Sequence, residues 1–270
     1  SRRDGAVAIF GDDGEKFGVW PDTHRAVFEE GWLETFFSLL EANSDWIQMN
    51  LPSEVAAEGS TGGTVWLPEC SYREMTEWVL APDDADACRA ARKLASEREE
   101  FRPIGRFLRG GSWRNFRRRY PEAMEMYARM MVVSDRLEAI RRASSVADPE
   151  RLAEATRHLY RGQCNCSYWH GAFGGIYLPH LRNAVFEELI AADVAADAAV
   201  GRDDAWVDAT TGDFNYDGRS EVRLANESLD CWFAPHVGGM LYELDIKPAR
   251  HNLLATLDRR REAYHSQVLA

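Results

Sequence analysis

The spacing of apolar residues changes character along the chain, and this change constrains the fold more than any other feature. Residues 6–10 form a short, continuous apolar run between Gly5 and Gly11, the pattern of a strand buried on both faces of a parallel sheet. Over 23–40 the period shifts to helical: Phe28, Trp32, Phe36 and Leu40 make one stripe, which Gly31 divides into two short helices. Residues 53–64 are small and Gly-rich, predicting a loop, and Ser71 with Glu74 makes a capping-box pattern that opens a short helix toward Trp78. From 83 to 142 the pattern is helical throughout. Asp83 or Asp84 is a candidate N-cap, and Pro121 starts a long helix that turns Met124, Ala128, Met131 and Leu137 inward. Asp148 followed by Pro149 opens the next helix, and another runs over 179–196. Beyond Gly201 come short alternating segments at 221–224, 229–233 and 240–244, separated by Asn, Gly and Pro, which is the pattern of an antiparallel sheet.

The order is therefore α/β, then α, then β, with expected domains at 1–82, 83–200 and 201–270. A strand at 6–10 needs neighbours, yet the next clear strand lies past 200. Its partners are expected upstream of Ser1, and the chain reads as part of a longer one. The final unit supplies about four strands, fewer than a closed sandwich requires.

Charge narrows the function. Lys plus Arg number 32 against 44 for Asp plus Glu, a net charge of −12, which is the wrong sign for a protein that grips phosphate backbones. No apolar run approaches the roughly 20 residues of a membrane span, and the amino-terminal residues lack the apolar core of a signal peptide. Nucleic acid and membrane are thus excluded as expected partners. Five Cys spread over 270 residues predict reduced thiols and a cytoplasmic location. Nine Trp suit flat, partly apolar ligands such as sugars, although Trp also fills cores.

Two segments carry chemistry. The first, DDGEKFGVWP from Asp12 to Pro21, sets three carboxylates within four positions directly after the expected strand. Acids at the carboxyl end of a barrel strand face the mouth where catalytic groups gather, and crowding of like charges raises the pKa of at least one of them. A solvated turn fits the same string. The second, QCNCSYWHGAFGGIYLPHLR from Gln163 to Arg182, mixes aromatic residues and glycines as expected where backbone and rings approach a ligand. Cys164 and Cys166 lack the companions of a zinc site. The basic run 114–119 reads as a solvated helix face. In the segment 213–221, Asp213, Asn215, Asp217 and Glu221 occupy positions one, three, five and nine, with Gly218 at six, as calcium loops require. Leu224 at position twelve rules out an EF-hand, and an Asx-rich turn remains the alternative to a structural calcium site.

The strings DDGEKFGVWP and YWHGAFGGIYLPHLR resemble two signature regions of family-57 glycoside hydrolases, in particular the 4-α-glucanotransferases and related α-amylases. SWRNFRRRYPEAMEMYARM (112–130) and the distal ELDIKP and RREAYH segments resemble the same group, so the resemblance covers nearly the whole chain. It implies the carboxyl-terminal end of a (β/α)7 barrel, then a helical bundle, then the beginning of a β-sandwich. It also implies retaining chemistry on α-1,4-glucans or maltooligosaccharides, with no cofactor in catalysis. Asp13 matches the Asp of the family's D-x-E motif and is implied to be the general acid/base. Glu15, Trp20, Trp169, His170 and the position of Cys166 are implied to contact substrate, and Cys166 stands where many members carry an acid. Nothing here resembles the strand that bears the family's Glu nucleophile. A retaining site needs two carboxyl groups about 5 Å apart, so the residues read as half an active site. Hydrolysis of the α-amylase type, or a noncatalytic glucan-binding protein with a degraded site, are the alternatives to glucan transfer.

Overall fold

The computed structural model describes residues 7–58, 63–66, 73–143, 148–169, 174–202, 204–263 and 265. The chain divides into two compact units, residues 1–66 and 67–270. The capping pattern at Ser71 lies outside the described residues.

In the first unit the expected strand is corrected: residues 7–13 adopt no regular structure, and Val7, Ile9 and Phe10 are exposed. A strand exists only where a second one accepts its backbone hydrogen bonds, and the described residues of this unit include none. Helical order is built locally. A five-residue π-helical turn, Arg25–Glu29, ends before Gly31, whose φ of 74° lets the chain turn into α1, Trp32–Ala42. Gly31 thus divides the helical stretch as its sequence predicts. Trp32 stacks on Phe36 at 5.3 Å, and Phe10 reaches Phe36 at 5.6 Å. The loop expected at 53–64 is corrected in its first half, where Pro52–Glu58 forms α2. Pro52 starts a helix at no hydrogen-bond cost, and the Glu54 carboxylate turns back to accept the Leu51 amide at 2.7 Å.

In the second unit α3 (Arg73–Trp78) and α4 (Pro82–Glu97) lead through the short α5 (Arg102–Gly105) to α6, Trp113–Arg119. Ala81, not Asp83 or Asp84, caps α4, because Pro82 takes the first helical position and leaves both acids in the first turn. Then follow α7 (Pro121–Arg142), α8 (Pro149–Gly162) and α9 (Pro179–Ala199). Pro121 opens α7 as expected. The Asp148 carboxylate accepts the amides of Glu150 and Arg151 at 2.9 and 3.1 Å, which is the N-cap its position predicts. Along α7 the buried residues include Ala123, Met126, Ala128, Val133 and Leu137, whereas Met124 and Met131 are only half-buried. Ala123, Met126, Val133 and Leu137 pack with Phe116, Tyr120, Leu159, Ile176, Leu189 and Ile190 into one core.

The antiparallel sheet is a meander in chain order: β1 (Val207–Gly212), β2 (Glu221–Asn226), β3 (Leu229–Ala234), β4 (Met240–Ile246) and β5 (His251–Asn252). Its seam with the helices is ionic. Arg129 on α7, fully buried, reaches Asp193 on α9 at 2.6 Å, Glu243 on β4 at 2.8 Å and Asp245 at 3.3 Å. Arg136 pairs with Asp193 and Asp197, Lys247 with Asp197 at 3.1 Å, and Arg223 with Asp230. Trp232 lies beneath the Arg129 and Arg223 guanidinium groups, 5.0 and 4.8 Å from its ring centre. Helices and sheet are thereby joined in one compact unit.

Candidate functional site

In the first unit, Asp13 stands at the entry of a single 3₁₀ turn, Gly14–Lys16. Its carbonyl accepts the Lys16 amide at 3.1 Å, while its exposed carboxylate has no hydrogen-bond partner among the described residues. Asp12 is different. Its Oδ1 accepts the Asp13 amide at 2.9 Å and the Lys16 ammonium at 2.5 Å. The Lys16 hydrogen bond, aided by the Asp13 amide, holds the Asp12 carboxyl below the usual range. Crowding of like charges is thus not what sets the Asp12 carboxyl, which is lowered by a cation one turn away. The turn continues through Glu15, whose carbonyl accepts the amides of Val19 and Trp20 at 2.9 and 3.0 Å. The Glu15 side chain is exposed and Trp20 is 40% exposed, with the Lys16 ammonium 5.5 Å from the centre of its ring. Gly18, at φ 118°, brings the backbone so close to Phe28 that a Cβ would meet its ring at 2.9 Å. Asp13, Glu15 and Trp20 are thus carried by one short folded loop that presents all three to solvent.

In the second unit, Trp169 borders a cavity of about 220 Å³ together with Trp113, Tyr127, Met130, Gln163, Asn165 and Tyr168. The Trp169 ring packs on Trp113 at 4.6 Å and on Phe116 at 4.8 Å. Tyr168 donates its hydroxyl to the Gly162 carbonyl at 2.7 Å, so its ring lies against the end of α8. The Trp169 carbonyl accepts the Ile176 amide at 2.7 Å. At Gly175, with φ 48°, a Cβ would stand 1.8 Å from that carbonyl, which is why glycine is needed there. Cys166 is exposed and does not line the cavity, and His170 lies outside the described residues. The free thiols are Cys88, Cys164, Cys166 and Cys231 among the described residues. Gln163 and Asn165 belong to the segment singled out as approaching a ligand, whereas Trp113, Tyr127 and Met130 were not anticipated as cavity residues. They converge because α6, α7 and the turn after α8 pack together, a tertiary fact that local spacing does not encode. The basic run on α6 is only partly solvated: Arg117 lies 4.1 Å from the centre of the Tyr127 ring and Arg119 pairs with Glu262 at 2.9 Å.

The loop between β1 and β2 folds on its own acids. Asp213 accepts the amides of Asp217 and Gly218 at 3.0 Å, Asn215 accepts that of Asp217 at 3.0 Å, and Asp217 accepts that of Arg219 at 2.8 Å. Glu221 is wholly buried and takes the Phe214 and Asn215 amides on one oxygen, at 2.9 and 3.3 Å. His236, which the loop's sequence does not include, stands beside Asp217 and Glu221.

Comparison with known proteins matches three successive segments of the chain. Residues 1–68 match the family model described as glycosyl hydrolase family 57. Residues 111–196 match the middle domain, and 213–270 the C-terminal domain, of the alpha-amylase/4-alpha-glucanotransferase group. The 4-alpha-glucanotransferase of Thermococcus litoralis is 39% identical over 259 residues, which cover 96% of this chain and 36% of that protein. Alpha-amylase 1 of Dictyoglomus thermophilum is 38% identical over 266 residues, covering 97% of this chain and 36% of its own length. The crystal structure of the Thermococcus litoralis 4-alpha-glucanotransferase superposes with a TM-score of 0.67, covering 98% of this chain and 38% of that one. The chain thus spans little more than a third of the relatives it matches. Three family models met in order, with this identity running through nearly the whole chain, place it in glycosyl hydrolase family 57.

Proposed function

We propose that the chain serves a retaining glycoside hydrolase or transglycosylase of the 4-α-glucanotransferase type, acting on α-1,4-glucans, with Asp13 as general acid/base. The observation that carries this reading is the contrast at the acidic turn: Asp12 is tied down by a hydrogen bond from Lys16, whereas the Asp13 carboxylate is exposed and accepts no hydrogen bond among the described residues. An acid/base must reach the glycosidic oxygen, give it a proton as the leaving sugar departs, and take one back from the incoming sugar or water. Asp12 stays ionised and supports the loop. Glu15 holds a sugar hydroxyl or orients Asp13, and Trp20 stacks on a sugar ring. In the second unit, Trp169 with Trp113 and Tyr127 offers an aromatic wall, and Gln163 and Asn165 add hydrogen-bonding groups at its edge. His170 and Cys166 adjoin this wall in sequence. Residues 1–82 correspond in this reading to the carboxyl-terminal part of a (β/α)7 barrel, 83–200 to a helical domain, and 201–270 to the start of a β-sandwich. The free thiols fit a reducing cytoplasm. Net hydrolysis of the same glucans is the second reading, favoured by relatives that carry the name alpha-amylase; the choice depends on how well the acceptor site excludes water.

The test is a pair of substitutions assayed on maltoheptaose. In the complete enzyme, with the strand that bears the Glu nucleophile present, Asp13→Asn should lower turnover by orders of magnitude with the fold intact, and Asp12→Asn should be much milder. Near-wild-type turnover in Asp13→Asn would remove the assignment.

A further inference from the structure

A cavity of about 320 Å³ in the second unit is lined by residues that the reaction above does not use, and its size is that of a small-molecule site. Sheet register and helix period build it together. Asp208 and Thr210 stand two apart on β1 and so face one side of the sheet, and their partners on β2, Ala225 and Arg223, face the same side. Arg136 and Ile140 stand one turn apart on α7, and Asp197 and Val200 lie at the end of α9. The Arg202 amide returns to the Asp197 carbonyl at 3.0 Å, which folds the chain back over the end of α9 and brings Arg202 and Trp206 to the cavity.

Charge decides what the cavity takes. Every guanidinium on its wall already faces a carboxylate: Arg136 reaches Asp193 at 2.8 Å, Arg223 reaches Asp193 at 3.2 Å, and Arg202 reaches Asp208 at 3.2 Å. An anion would have to compete with these acids. A neutral ligand whose groups both donate and accept hydrogen bonds can instead use guanidinium and carboxylate together, and adjacent sugar hydroxyls are such groups. Arg202 and Asp208 keep part of their side chains exposed, so the pair is open to a ligand. Trp206 supplies the apolar wall. Its ring is half-buried and is held by the Lys247 ammonium and the Arg202 guanidinium, 4.5 and 4.8 Å from its centre.

We propose that this cavity is a noncatalytic glucan-binding site, which holds a short stretch of an α-1,4-glucan without acting on it. The C–H face of a glucose ring lies against Trp206, and its hydroxyls meet Arg202, Asp208 and Thr210. The proposal rests on the glucan reading given above and extends it. A long glucan held here is offered to the reacting site at a raised effective concentration, whereas a sugar too short to engage both sites gains nothing.

The test reads binding at Trp206 itself, without turnover. The complete enzyme is prepared with fluorine-labelled tryptophan, and the resonances of Trp206 and Trp169 are assigned from their loss in Trp206→Phe and Trp169→Phe. It is then titrated with a thio-linked maltoheptaose, whose sulfur bridges resist cleavage. The expected result is a saturable shift of the Trp206 resonance. Asp208→Asn and Thr210→Val, which keep the shapes of the side chains, should each weaken that response about threefold or more. In turnover, the preference for amylose over maltotriose should fall in Asp208→Asn. A Trp169 response without a Trp206 response would overturn the proposal and leave the glucan reading standing. A Trp206 resonance that answers to inorganic phosphate and not to the sugar would overturn it as well, marking an anion site. Failure of both tryptophans to respond would count against the glucan reading and this proposal together.

Discussion

At the turn that carries Asp13, one lysine decides which carboxylate is free. Lys16 lies four residues beyond Asp12 and pairs with it, so the Asp12 carboxyl is lowered and not raised. The motif was legible, but the partner choice was not, because it depends on a 3₁₀ turn that bends Lys16 back over Asp12. Glycine carries the second residue-scale lesson. Gly174 and Gly175 both adopt positive φ, and Gly175 has no room for a side chain beneath the Trp169 carbonyl. The sequence YWHGAFGG announces a close backbone approach, and the structure supplies the contact. Gly175→Ala should destabilise the fold by about 1–3 kcal/mol through strain and clash, and should weaken maltoheptaose binding by displacing Trp169. Urea denaturation and titration calorimetry measure the two effects; unchanged stability would mean that the turn relaxes freely.

At the scale of elements, the helices and strands followed the periodicities wherever local chemistry was enough. Pro121, the Asp148 cap and the three alternating strands are examples, each set by residues within a few positions of one another. The ionic seam was invisible by contrast, because Arg129 lies on α7 and its partners on α9, β3 and β4, each more than 60 residues from it. In sequence, Arg129 sits among core positions of α7 with nothing to distinguish it from a surface cation. Removing it would strand Glu243 and Asp245, whose only cation among the described residues it is, and would leave Asp193 and Asp230 to Arg136 and Arg223. Arg129→Met should therefore cost about 3–5 kcal/mol in urea denaturation; a loss under 1 kcal/mol would show that the acids find other partners. The same cluster sets a pH dependence. Burial, followed by repulsion from its acidic neighbours and opposed by Arg129, pushes Asp245 up to about 6, and Glu243 is likewise raised by burial and by Asp245. A carboxyl raised on folding stabilises most below its unfolded pKa, and the stability it contributes is lost as pH rises through its folded value. Asp193 behaves in the opposite sense: burial works against its charge, but Arg129, Arg223 and Arg136 hold its pKa low, so its contribution is lost only in strong acid. Asp245→Asn should accordingly flatten the stability change between about pH 4 and pH 6, and an unchanged slope would remove Asp245 from its cause.

At the scale of the whole molecule, the order of helical and then antiparallel structure was legible from the change in apolar period, and it persists in the fold. The amino-terminal strand was not. An apolar run specifies that a segment wants neighbours without supplying them, and residues 7–13 consequently remain irregular beside Phe36. The signature strings brought Asp13, Glu15, Trp20 and Trp169 into view, whereas Trp113 and Tyr127 emerged only from the packing of α6 and α7 around Trp169. No helix among the described residues is long and apolar enough to cross a membrane. The central claim is that Asp13 moves the proton at the glycosidic oxygen, and leaving-group dependence tests it most directly. In the complete enzyme, with the Glu nucleophile present, turnover by Asp13→Ala is compared on maltoheptaose, whose leaving sugar needs protonation, and on an α-maltosyl fluoride, whose fluoride does not. The account predicts loss of several orders of magnitude on maltoheptaose, with release of fluoride in the glycosylation step largely preserved. Equal losses on both substrates, or none on maltoheptaose, would contradict it.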